Sequence, residues 1–118
     1  MTTKLEPSDV FAKCIENIET WGWTQHKEVD YSTGACCAQG HIRFAAGEYI
    51  DVETEDRPYD YVPVINADYH LVSRCADIFM DAIGGDSIPA WNDQSRRTKK
   101  QVVAAFQKAY DLALSKGE

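Results

Sequence analysis

Apolar residues recur at helical spacing in four stretches of this chain, and glycine stands at the end of three of them. Such stripes must be buried against one another, so they restrict the chain to a packed helical fold. The first runs from Ser8 to Trp21, with Val10, Phe11, Cys14, Ile15 and Ile18 on one face. Ser8 is its expected N-cap, Asp9 suits the positive end of the dipole, and Gly22 is a left-handed stop that lets Trp23 fold back onto Ile18. The second, Gly34 to Ala46, is built on Ala35, Cys36, Ala38, Ile42, Ala45 and Ala46, and Gly47 ends it. Gly40 inside it costs about 1 kcal/mol relative to alanine, which points to a close approach there. The third runs from Ala67 to Ile83 with Asn66 as N-cap, and Gly84-Gly85 stops it. Leu71, Val72, Cys75, Ile78, Phe79, Ala82 and Ile83 form its stripe. The fourth, Lys99 to Ser115, begins with a capping box of Thr98 and Gln101, and buries Val102, Val103, Phe106, Ala109, Tyr110 and Ala113.

These patterns predict a mainly α, compact four-helix single domain over residues 1–118, with residues 1–7 as a flexible tail. Residues 24–33 are polar and read as a loop. Residues 47–66, between the second and third helices, combine Tyr49, Ile50 and Val52 with Tyr59, Tyr61, Val62 and Val64 across a turn at Asp56, Arg57 and Pro58. A short β-hairpin and an irregular acidic loop both fit this stretch.

Charge is distributed unevenly. Residues 1–60 hold twelve acids and five bases, whereas residues 61–118 hold seven of each, so the whole net charge of −7 lies in the first half. A broad nucleic-acid-binding face is disfavoured, because phosphates would be repelled. No apolar run reaches the ~18 residues of a membrane span, and "MTTKLEPSDVF" has no signal-peptide core. The expectation is a cytoplasmic protein in which Cys14, Cys36, Cys37 and Cys75 are reduced thiols and no membrane is engaged.

Little in the sequence points to catalysis. Cys37 and His41 are four residues apart and share one helical face, the minimum for a thiol beside a base. Paired C-x-x-C spacing for zinc is missing, and Cys14 and Cys75 sit on apolar stripes. The reading is a non-enzymatic protein with no cofactor and no metal. Two stretches suit binding instead. Glu48, Asp51, Glu53, Glu55, Asp56 and Asp60 are interleaved with Tyr49, Tyr59 and Tyr61, which suits docking on a basic partner; a solvated loop is the plain alternative. In "SIPAWNDQSRRTKK", residues 87–100, Ile88 and Trp91 close the core, Pro89 holds Ile88 extended, and Asn92 and Asp93 form a turn. Arg96, Arg97, Lys99 and Lys100 surround a helix N-terminus, where bases oppose the dipole; they serve either to hold an anion or as solvated surface.

Three parts of the chain carry a resemblance: "GWTQ" after the first helix, Cys37 to Gly40 as Cys-x-x-Gly, and "IPAWNDQSRRTKKQVVAAFQKA". Over roughly residues 10–114 the sequence is similar to a family of small uncharacterised proteins of actinobacteria and their bacteriophages. That resemblance implies a compact helical fold and a phage or actinobacterial origin, with Trp91, Asn92, Asp93 and Thr98 as determinants of the fold, and it supplies no activity. The acidic stretch departs from the family pattern. The expected function is a phage-encoded interaction protein that binds a host protein through its acidic, tyrosine-containing surface. A nucleic-acid mimic that blocks a DNA-binding host protein is one alternative. A binder or enzyme for a small anionic ligand, using Cys37, His41 and the basic helix start, is another. A homodimer also fits, since the acidic half and the basic elbow are complementary between copies.

Overall fold

The first helix starts one residue earlier than its sequence suggests. In a computed structural model, which describes residues 4–51 and 61–118, α1 spans Pro7–Trp21 and Glu6 is its N-cap. The Asp9 carboxylate accepts from the Glu6 amide at 2.9 Å, and Pro7 fits the first turn because its missing N–H has no helical partner anyway. Ser8, expected as the cap, lies inside the helix. Its amide and hydroxyl both donate to the Glu118 main-chain oxygen, at 3.0 and 2.9 Å. Glu6 and Pro7, expected in a flexible tail, are therefore part of the helix start.

Gly22 ends α1 with φ 96° and ψ −179°, a positive φ that favours glycine, although ψ departs from the left-handed turn expected there. Trp23 then forms a parallel bridge with Cys36, and Val29 forms an antiparallel bridge with the same residue. The loop is thereby folded back on itself, and Cys37 is left as the N-cap of α2, Ala38–Ala45. This helix starts four residues later than expected because Gly34 and Ala35 belong to the loop.

The close approach expected at Gly40 is present. A Cβ there would lie 2.6 Å from the Glu28 carbonyl oxygen and 3.2 Å from Cys36 Cβ. The nearest atom is backbone, anchored by the Cys37 amide at 3.0 Å, so it cannot swing aside. Gly40→Ala is expected to lose about 1–2 kcal/mol net, because a clash with fixed backbone puts the overpacking penalty in the upper part of its usual range of about 1–3 kcal/mol, against a helix-propensity gain of about 1 kcal/mol. Urea denaturation checks this; an unchanged or higher midpoint would refute it.

Strands β1, Tyr49–Asp51, and β2, Tyr61–Pro63, pair antiparallel with Ile50 opposite Val62. The turn expected at Asp56, Arg57 and Pro58 lies outside the described residues. Helix α3, Tyr69–Ile83, is capped by the Asp68 carboxylate, which accepts from the Leu71 amide at 3.0 Å. Asn66, the expected cap, adopts φ 65° in the preceding turn.

The elbow itself is helical, so the described residues form five helices and not four. Ser87 caps α4, Ile88–Asn92, by accepting from the Ala90 amide. Pro89 lies in the first turn, where it is tolerated, so Ile88 is helical and not extended. Helix α5, Lys99–Ser115, begins with the expected reciprocal capping box of Thr98 and Gln101.

The apolar stripes meet in one core. Helix α1 packs mainly on α5, α3 packs on α5, and α2 and α4 close one side. Phe79 lies 5.0 Å from Phe106 and 5.6 Å, edge-on, from Trp91, between ring centroids. Phe11, Ile18, Ile42 and Val102 are fully buried around them. The radius of gyration, 13.7 Å, is that of a compact domain of this length. No helix among the described residues is long and apolar enough to cross a membrane.

Candidate functional site

Buried asparagine needs four partners if its amide is to leave water without loss. Asn92, 0% exposed, has all four. Its Oδ1 accepts from the Trp23 indole at 2.7 Å and from the Ala38 amide at 2.9 Å. Its Nδ2 donates to the Thr24 carbonyl at 3.1 Å and to Asp93 Oδ1 at 2.9 Å. Gln25 adds bonds to the Asn92 and Gln94 carbonyls, and the His26 amide donates to Asp93 Oδ1. That last bond holds His26 at φ 67°, a strained conformation for a residue with a side chain. "GWTQ", the start of the Cys-x-x-Gly helix and "WND" are therefore three sides of one hydrogen-bonded hub.

Cys37 and His41 do not form a nucleophile pair. Cys37 is buried, and its sulfur accepts from the Gly40 amide at 3.4 Å. Burial pushes its thiol pKa up, against the lowering effect of that amide, and nearby Glu28 pushes it further. His41 is also buried, edge-on to Phe106, with Nε2 2.8 Å from the Gly22 carbonyl oxygen. The carbonyl can only accept, so Nε2 carries the proton and donates. Burial pulls the His41 pKa down to about 4, partly opposed by that bond, so the ring is neutral near pH 7. All four cysteines are buried. Burial raises Cys14 well above the usual thiol range and Cys75 to about 12. Among the described residues no group of three or more His, Cys, Asp or Glu could hold a metal.

Two hollows open beside the hub. The larger, 480 Å³, lies between α2, α3 and α4. The smaller, 250 Å³, is lined by His26, Lys27, Glu28, Cys37 and Asp93. Gln39, Arg43 and Pro89 line both, so the two are adjacent hollows with shared walls, together a divided trough. Arg43 organises the ridge between them. Its Nε and Nη2 bond Glu48 at 2.7 and 3.0 Å, Nη1 reaches Glu28 at 2.6 Å, and Nη2 also donates to the Tyr49 hydroxyl. The Glu48 bonds are the main reason its pKa is driven further up.

A family model described as a family of unknown function, DUF6197, matches residues 2–112. The chain belongs to DUF6197. No curated protein and no solved structure matches it. In this DUF6197 member the hub joins segments from both halves of the matched region.

The residues singled out for binding fall into distinct classes. Glu48 is only 7% exposed and, with Tyr49, is engaged by Arg43, so it adds little to an outward acidic face. Asp51 and Tyr61 are described by their backbone pairing alone. Glu53, Glu55, Asp56, Tyr59 and Asp60 lie outside the described residues. The basic cluster is divided. Arg97 lies 4.0 Å over the Trp91 ring and bonds the Trp91 carbonyl and Gln94. Lys99 faces Glu19 at 3.6 Å, and Arg96 and Lys100 are exposed. Arg97 is thus a clamp on the elbow and not a free anion ligand. Sequence reasoning missed the Arg43 ridge. The available signal was one arginine on a short helix in an otherwise acidic region.

Proposed function

We propose that this DUF6197 member is a small interaction protein that binds a basic region of another protein. The observation that carries the reading is an exposed apolar edge directly after the acidic stretch. Val62, Ile65 and Tyr69 are 39%, 87% and 56% exposed, and in sequence they follow five acids in residues 51–60. A contiguous exposed apolar patch is the usual mark of a protein-binding surface. The excess of acids in the first half favours a basic partner and speeds encounter with it. The reading extends to a phage-encoded protein acting in the cytoplasm of an actinobacterial host, as the sequence resemblance implies.

Lysine at Asp51, Glu53, Glu55 and Asp56 together is expected to abolish capture of the partner from an actinobacterial lysate, read by mass spectrometry. Capture at the level of the unaltered protein would overturn the reading.

A further inference from the structure

We infer that the trough across α2, α3 and α4 seats a peptide segment of the partner that carries a large apolar side chain next to lysine or arginine. This rests on the reading above and locates the contact. The larger hollow has an apolar floor of Ile42, Val72, Ala76, Met80 and Ile88. Its 480 Å³ lies within the range of about 300–1,000 Å³ that holds a ligand group. Met80 can adapt to differently shaped anchors.

Charge selects the rest of the occupant. Four acids, Glu28, Glu48, Asp86 and Asp93, line the two hollows against two bases, Lys27 and Arg43, and one histidine, His26. Arg43 is held by Glu28 and Glu48, and Lys27 faces Asp30 at 3.9 Å. Asp86 is exposed at the rim and no described residue forms an ion pair with it. A cation beside the anchor gains the Asp86 carboxylate, whereas a phosphate or nucleic acid meets repulsion from it.

The trough also continues into the exposed apolar edge. Tyr69 lines it, and the Glu48 carbonyl beside it accepts from the Val64 amide at 2.9 Å, next to Ile65. Two adjacent hollows, one with an apolar floor that runs to an apolar rim, suit an extended or helical peptide better than one compact molecule.

The test uses a displayed library of random peptides selected on the full chain. Enriched sequences are expected to place Leu, Met, Phe or Trp within about two positions of Lys or Arg. Ser73 and Asp86 line the trough at exposed positions, so Ser73→Arg and Asp86→Lys leave the core intact. Each is expected to weaken an enriched peptide about tenfold or more, a loss of about 1.4 kcal/mol. Lys108→Glu, on the exposed face of α5, is expected to leave binding unchanged. Absence of enrichment, or binding that survives both trough substitutions, would overturn the inference. A dimer by light scattering that Ser73→Arg dissociates would also overturn it, because a second copy would then fill the trough. Failure here with successful acid-dependent capture from lysate refutes only this location; failure of the lysate test refutes the broader reading.

Discussion

Asn92→Ala is expected to reduce the free energy of unfolding by about 3–5 kcal/mol, a large part of the roughly 5–15 kcal/mol of a typical domain. The side chain is fully buried, and its removal strands the Trp23 indole N–H, the Ala38 amide and the Thr24 carbonyl. Each orphaned buried group costs about 1–3 kcal/mol, with some relief if water enters. Lost packing beneath the elbow adds to this. Urea denaturation should show a lower midpoint at unchanged slope. Hydrogen exchange of the Trp23 indole should accelerate as well. A loss below about 1 kcal/mol would show that the hub is not the joint described here.

Acid should destabilise the protein through His41 before its carboxylates titrate. The folded pKa is about 4 against 6.5 for the free side chain. Between these values the unfolded chain binds more protons, so unfolding gains as pH falls. The neutral-ring contribution is complete above pH 6.5 and is lost progressively down to about pH 4. The full shift corresponds to about 3 kcal/mol, of which roughly 2 kcal/mol is lost by pH 5. Asp30, Asp93 and Glu118 are held below their usual range, so their contributions disappear at lower pH. For Asp30 the Ser32 bonds are responsible. For Asp93, burial pushes up and the His26 and Asn92 bonds prevail. For Glu118 the Arg74 bond at 2.7 Å leads. Stability measured from pH 7 to 5, with an NMR titration of the His41 ring, checks the assignment. A ring pKa near 6.5, or flat stability across that range, would refute it.

Helices with long stripes and strong caps are legible in the amino-acid sequence. Thr98 and Gln101 begin α5 as their spacing predicts, and Gly84 ends α3 in the left-handed conformation. Helix α2 is legible only in part. Its first expected residues have backbone partners across the loop, Cys36 with Trp23 and Val29, and no periodicity reports such pairing. At the helix starts, Ser8 and Asn66 are plausible caps, yet Glu6 and Asp68 hold those positions. Local propensity ranks capping residues but does not see that Ser8 is drawn into a contact with Glu118, 110 residues away.

The candidate sites are less legible than the fold. Cys37 and His41 have the spacing of a reactive pair, but burial makes one a cap and the other a neutral core ring. Desolvation depends on what surrounds a side chain, and spacing along the chain carries no record of it. Four apolar stripes, their breakers and the one-sided charge were determined by the sequence alone, because they follow from residue type and period. Tertiary structure alone decided that "GWTQ", Ala38 and "WND" meet at Asn92. It also decided that Arg43 binds Glu28 and Glu48, leaving a trough with Asp86 at its rim. Those bonds join residues up to 69 positions apart, and only the packing of the stripes brings them within reach.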